Sequence, residues 1–325
     1  MNFSFVYIIT LFTFILSNAI TPRIIRLSET YNLFDQPDHR KVHNKPIARI
    51  GGISIFLSYL IGTIIPLYAL INLNIFSFNN NEFILTIFFG STIFFLIGII
   101  DDLTSLSPFL RLLIQFSVAT IVWCKGLRID YFQMLPTDLY QSSSIDINNL
   151  LSLLITVLWI VGLTNAFNWI DGLDGLACGI ALISSLSLSI IALLNNQISS
   201  SFICLGIAGS CLGFLKYNLN PAKIFMGDGG SYFIGFVLST IGIQSVKNET
   251  GVLQIYILII LFMIPLLDMI KVIFKRVISG NSPFYPDRSH FHHYLIDSGL
   301  NQNQTVRIIF LLSLIFSIFS IYLTS

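Results

Sequence analysis

Charge is what this sequence has least of: Lys, Arg, Asp and Glu together make up 10% of its 325 residues, against 54% hydrophobic positions. Soluble domains carry about a quarter charged residues, so that class is excluded. No long block of like charge occurs and the net charge is +1, so no nucleic-acid partner is expected. Cysteine is scarce too. Cys124, Cys178, Cys204 and Cys211 form no CxxC pair and fall in or beside apolar runs, which suggests neither a zinc site nor a disulfide framework but small packing residues. No Lys or Arg precedes the first apolar run, and Pro22 and Arg23 follow it, so it reads as a retained span rather than a cleaved leader. No serine or cysteine nucleophile stands out.

Long apolar runs fill the space that charge leaves. A bilayer span needs about 20 mainly apolar residues, and about ten such segments occur, near 3–20, 50–72, 83–100, 109–124, 149–168, 176–194, 201–217, 232–246, 252–274 and 306–323. Lipid leaves the backbone no other open structure, so each should be helical, in one all-α, polytopic membrane domain covering residues 1–325. The ninth segment holds Pro265 and Asp268 and is expected to be kinked or broken, with Asp268 facing protein. Gly206, Ala208, Gly209 and Gly213 predict close helix packing by the seventh. With the N-terminus outside, all of the 17 basic residues except Lys125, Arg128 and Lys247 fall on the inner face. The positive-inside rule then orients the chain in a plasma membrane, with both termini exterior.

The polar clusters interrupt these runs on that inner face. The sharpest is NAFNWIDGLDG, residues 165–175, which places Asn168, Asp171 and Asp174 among turn-permitting glycines at the end of an apolar span. Its plain structural reading is a polar loop whose aspartates cap the next helix. Asp101 and Asp102 end the third span. Thr104, Ser105 and Ser107 fit a capped turn there, while a metal or proton-accepting role is the alternative. Residues 216–231, KYNLNPAKIFMGDGGS, set Asp228 among Gly227, Gly229 and Gly230 before a helix start, which suits either an ordinary turn or a metal–phosphate site. The basic loop 28–52 contains His43 and Lys45, a topology signal or a phosphate contact. Arg288, His290, His292 and His293 follow the ninth segment; HxHH matches no zinc-fold spacing, and these donors equally suit phosphate oxygens. Acid and imidazole clusters around glycine turns on one side of a membrane describe a metal-assisted phosphoryl-transfer site, one substrate coming from the cytosol and the other from lipid.

The segments DQPDHRKVHNKPIARIGG, the aspartate pair, NAFNWIDGLDGLACG, NPAKIFMGDGGS and SPFYPDRSHFHHYL resemble the bacterial polyprenyl-phosphate N-acetylhexosamine-1-phosphate transferases over nearly the whole chain. The HFHH loop is closer to the WecA-type branch, which begins O-antigen or common-antigen synthesis from UDP-N-acetylglucosamine, than to the peptidoglycan-precursor translocases. The resemblance implies transfer of the sugar phosphate from a UDP-N-acetylhexosamine to polyprenyl (undecaprenyl) phosphate, with release of UMP. It implies Mg²⁺, with Mn²⁺ as a substitute, on Asp228 and Asp171, and Asp101 and Asp102 near the lipid phosphate. Asn168, Asp171, Asp174 and Asn218 would line the nucleotide and metal site, with Phe225 against uracil. His290, His292, His293 and Arg288 would hold phosphates or sugar, and His43 and Lys45 join the substrate-binding set. Relatives often carry a Lys after the aspartate pair; here that segment offers only Arg111. The resemblance leaves room for a homodimer.

Two rival classes make different demands. A transporter would show interrupted segments in both halves, and only the ninth is evident. A CDP-alcohol phosphotransferase needs an arginine and trailing acids that DGLDGLACG lacks.

The one-sided placement is testable. Single cysteines introduced near His43, Asp101, Asp171, Asp228 and His292, in a background without the native thiols, should be labelled only after the inner face is opened. Labelling of any of them in intact cells contradicts it.

Overall fold

An unpaired backbone N–H or C=O in hydrocarbon costs several kcal/mol, so the apolar runs coil and satisfy their own hydrogen bonds. The computed structural model of the chain describes residues 4–36, 45–72, 81–134, 145–248, 251–282 and 289–325. Its helices are α1 (Ser4–Thr30), α2 (Gly52–Asn72), α3 (Asn81–Thr104), α4 (Pro108–Cys124), α5 (Asn149–Ile170), α6 (Leu176–Leu194), α7 (Ile198–Asn218), α8 (Gly227–Ser245), α9 (Ile255–Leu261), α10 (Met263–Ile278), α11 (Phe291–Asp297) and α12 (Gln302–Tyr322). Strands occur only between them. Antiparallel β1 (Phe34–Asp35) and β2 (Ile47–Ala48) pair Phe34 with Ala48. At the far end β3 (Tyr131–Gln133) lies between antiparallel β4 (Ile145–Asp146) and parallel β5 (Leu253–Gln254).

The bundle is built around α8. It packs on α2, α3, α5, α6, α7 and α9, and from Gly229 to Gly242 every side chain is buried. A helix so enclosed does not meet lipid, which is why α8 tolerates glycine, serine and threonine throughout. Lipid-facing surface lies on outer helices, as with Phe109, Leu113 and Phe116 of α4 and Leu150, Leu154 and Leu158 of α5.

The chain is a multi-pass membrane protein. Among the described residues, six helices are long and apolar enough to cross a membrane: α1, α3, α5, α6, α7 and α12. A seventh is reached if α9 and α10, which meet at 78°, count as one span. By that measure the expected count of about ten is not reached, because α2 and α4 have shorter apolar stretches, Gly52–Thr63 and Pro108–Cys124, and α8 is diluted by small polar residues. The α9–α10 break falls at Phe262, where Pro265, lacking an N–H, cannot bond the Leu261 carbonyl.

Close approach at glycines sets how tightly the helices pack. A Cβ on Gly209 or Gly213 of α7 would lie 2.2 Å from the Thr10 carbonyl oxygen or 2.6 Å from that of Phe14, both in α1. Gly206 abuts Thr63 and Tyr59 of α2. The packing role expected of these glycines is therefore carried by α7 against α1 and α2.

At one end, α3 and α8 bring Gly98 against the Asp228 carbonyl. At the other end, Glu82, Lys125, Gln244 and Lys247 line one recess, so two of the three basic residues assigned to the outside lie opposite the aspartates.

Gly209→Ala should destabilise the protein by about 1–3 kcal/mol through overpacking, despite alanine's better helix propensity. Gly162→Ala, where the nearest atom is the Met269 methyl at 3.8 Å, should be neutral or mildly stabilising. Thermal unfolding of both variants in detergent checks the contrast; equal effects would contradict the packing described.

Candidate active site

Backbone pairing between two distant loops assembles the site. Residues 48–52 run beside 224–226: Phe225 N donates to the Ala48 carbonyl at 2.7 Å, Gly51 N to Phe225 O at 2.9 Å and Gly52 N to Met226 O at 2.7 Å. Gly52 faces the Gly230 amide so closely that a Cβ would lie 2.2 Å from it. Gly227 holds φ at +71°, which turns the chain into α8, and a Cβ there would stand 2.6 Å from Asp102 Oδ2.

This pairing delivers Arg49 to the end of α3. Its Nε donates to Asp102 Oδ1 at 2.9 Å, and its other nitrogens lie 3.7 Å from Asp228 Oδ2 and 4.0 Å from Asp35 Oδ1. Burial alone would lower the pKa of Arg49, but Asp102, Asp228 and Asp35 outweigh it and hold the guanidinium charged. The Asp102 side chain is fully enclosed and also accepts the α8 amides of Asp228 and Gly229, each at 3.0 Å. It therefore caps α8 from another helix, where a carboxylate also meets the positive end of the dipole. Asp228 stays partly open. Asn168 of α5 donates to its Oδ1 at 2.7 Å and to Ser231 Oγ at 3.0 Å, tying α5 to α8.

Asp101 faces the other way. It pairs with Arg111 and accepts Leu106 N at 2.7 Å, which closes the short turn into α4. Ser107 caps α4 by accepting Leu110 N, with Pro108 next, as the capped-turn reading expected. Arg111 opens onto a cleft it lines with Pro108, Leu112, Asn165, Asn168, Trp169 and Tyr232, between α4, α5 and α8.

Neither aspartate of the 165–175 stretch caps α6, which corrects that plain reading: the N-cap is Gly175, at φ +76° and without a side-chain bond. Asp171 instead ends α5. Asp174 accepts Asn220 Nδ2 at 2.9 Å and Ala222 N at 3.0 Å, so it anchors the loop before α8. Burial, then the charges of Asp102 and Asp174, push the Asp171 carboxyl up to about 7. Asn218 donates to the Ile224 carbonyl at 2.9 Å and braces the same loop.

His292 packs against Gly172, joining the imidazoles to the Asp171 turn. Its ring lies 4.4 Å from that of His293 and 5.4 Å from that of His290, centroid to centroid. Burial, then His293 and His290, hold its pKa down at about 3, so it is neutral. Both its ring nitrogens are buried without a hydrogen-bond partner among the described residues, a costly state that a ligand group would relieve.

Lys45 is exposed beside β2, and His43 and Arg288 lie outside the described residues. Arg49 is the residue that motif reading passed over. Its signal was position: the basic residue nearest Gly51-Gly52, a glycine pair that packs on a second glycine pair, Gly229-Gly230.

Among the described residues, no three of His, Cys, Asp and Glu converge as a ready-made metal cage. Mg²⁺ does not require one, since it usually takes one or two carboxylates, waters and substrate phosphates. Asp228 and Asp171 fit that habit: both offer hard oxygen donors, and the Asp228 side chain is partly open.

The profile of glycosyl transferase family 4 matches residues 84–246. A probable undecaprenyl-phosphate N-acetylglucosaminyl 1-phosphate transferase of Bacillus subtilis is 35% identical over 98% of this chain and 84% of its own length. A decaprenyl-phosphate N-acetylglucosaminephosphotransferase of Mycobacterium leprae is 30% identical over 85% of this chain and 73% of its own. The undecaprenyl-phosphate alpha-N-acetylglucosaminyl 1-phosphate transferase of Thermotoga maritima is 29% identical over 94% and 86%.

For Asp171 the sign of the pH effect is fixed. Its folded pKa lies above the ordinary carboxylate value, so its ionisation costs stability as pH rises from about 4 to 7. Without divalent cation, Asp171→Asn should therefore gain stability relative to the parent at pH 8 and not at pH 4. Mg²⁺ should raise the parent's unfolding midpoint more than the variant's; an equal response would remove Asp171 from the cation site.

Proposed function

The chain belongs to glycosyl transferase family 4, and from that premise we propose that it transfers N-acetylglucosamine-1-phosphate from UDP-N-acetylglucosamine to polyprenyl phosphate. UMP leaves, and the lipid-linked sugar starts a cell-envelope glycan, O-antigen being one such product. The reaction takes place at the cytoplasmic face of the plasma membrane. The observation that carries this reading is the Arg49–Asp102–Asp228 cluster beside a cleft, containing Arg111, between helices with lipid-facing apolar surfaces. A charged nucleotide sugar and a lipid phosphate need such a meeting place.

The chemistry is electrostatic before it is covalent. A diphosphate and a phosphate monoester are both anionic, and their approach needs cationic groups in place beforehand. Arg49 and Arg111 stand on the two sides of the Asp101–Asp102 pair and supply two of these charges. Bound at Asp228 and Asp171, Mg²⁺ would neutralise the diphosphate and the departing UMP. Asn168 keeps Asp228 aimed, and His292 offers its unpartnered nitrogens to substrate oxygens or hydroxyls. An oxygen of the lipid phosphate attacks the β-phosphorus directly. That phosphate has a second pKa near 6 and is largely dianionic at pH 7, so little is gained from a base. Both aspartates of the pair already accept N–H groups and a guanidinium, which suits positioning rather than proton transfer.

Purified protein given polyprenyl phosphate, Mg²⁺ and a panel of UDP-sugars should release UMP and form lipid-linked product with UDP-N-acetylglucosamine, and EDTA should abolish both. Asp228→Asn should lower turnover by about 100-fold or more while leaving the protein folded. No product from any UDP-sugar, or an unimpaired Asp228→Asn enzyme, overturns the reading.

A further inference from the structure

Asp268 has no part in the reaction as described, yet it is 4% exposed in α10 and its carboxylate is wholly committed to the chain beyond that helix. Oδ2 lies 2.7 Å from His290 Nδ1, and Oδ1 accepts the backbone N–H of Phe291 at 2.6 Å. His290 is the N-cap of α11, so this one side chain fixes both the imidazole and the start of the helix that carries His292 and His293. The His290 ring is stacked on His292, 13° from parallel, and sits edge-on to Trp169 with centroids 6.4 Å apart. Trp169 lines the cleft that contains Arg111.

The hydrogen-bond roles follow from what each group can do. A backbone N–H only donates, so Oδ1 is an acceptor; an ionised carboxylate has no proton to give, so Nδ1 must bring one. Nε2 is then the ring nitrogen that Asp268 does not engage. We propose that Asp268 is a positioning residue that keeps His290 protonated at Nδ1, so that Nε2 is the nitrogen presented to the phosphate or sugar oxygens of the nucleotide sugar. The substrate named here rests on the transferase reading; the tautomer does not. An aspartate behind a histidine does the same service in serine proteases, where its replacement by asparagine keeps the shape and installs the wrong tautomer.

Asp268→Asn is the corresponding change. The amide accepts through one atom only. Phe291 N holds that oxygen, so the NH₂ faces Nδ1, which must become an acceptor and move the proton to Nε2. Nitrogen NMR of protein labelled with ¹⁵N-histidine in detergent, with His290→Gln identifying the signals, reads this directly. The parent should show a protonated Nδ1 at pH 7.5, and Asp268→Asn a bare one. Turnover of Asp268→Asn should fall by about 10- to 100-fold, with KM for the UDP-sugar within about threefold of the parent. In a His290→Ala background the same change should cost nothing further, because its effect passes through the ring.

A bare Nδ1 in the parent overturns the proposal, and so does an undiminished cost of Asp268→Asn in the His290→Ala background, which would mark a purely structural role. If the protein transferred no sugar phosphate at all, the parent's nitrogen signals would still decide the tautomer. They also decide it if Asp268→Asn fails to fold.

Discussion

The carboxylate of Asp102 is the interaction on which the rest of the site depends. It is enclosed at the end of α3 and accepts one guanidinium N–H and two amides from the start of α8, at 2.9, 3.0 and 3.0 Å. Hydrogen bonds to charged groups contribute about 1.5–3 kcal/mol each, and a buried carboxylate stripped of them would be strongly destabilising. Through those bonds Asp102 sets the height of α8 relative to α3, and hence the place of Asp228. It also holds Arg49, and with it the 48–52 strand that pairs with residues 224–226. Three segments far apart in sequence are tied at this one group.

Glycine makes such a knot sterically feasible. Gly98, Gly52 and Gly227 each approach backbone or the Asp102 carboxylate within distances that no side chain allows. The cost falls on helix propensity and chain entropy, and is offset by burial of α8 among its neighbours. A polar, glycine-rich helix start is thereby placed inside an apolar bundle, where low dielectric strengthens every charge–charge contact. The chemistry needs that setting, because anionic substrates must be held by fixed cations and dipoles rather than by water.

Much of this was legible in the sequence because the apolar runs are long and the charges that break them are few. The Asp101–Asp102 pair, the 165–175 stretch, the Asp228 glycines and the histidines could be placed on one side by counting basic residues, and Asp102, Asn168 and Asp228 do meet there. What could not be read came from tertiary contacts. Arg49 looked like one more base in a basic loop, since its role arises from a backbone pairing with residues 174 to 177 positions later in the chain. Asp174 has the same residue type and loop as Asp171, but braces the 220–222 turn where Asp171 ends α5. The span count differed because α2 and α4 have short apolar stretches and small polar residues dilute α8.

The central claim is that Asp102 organises the site and does not accept a proton from the lipid phosphate. The pH–rate profile of Asp102→Asn between about pH 6.5 and 9, taken beside the parent at several Mg²⁺ concentrations, tests it most directly. The account predicts a turnover reduced by a similar factor across that whole range, with half-saturation moved to higher Mg²⁺ because Asp228 is no longer held in place. Recovery of the variant toward the parental rate at high pH would mean that deprotonation was what had been lost, and would contradict it.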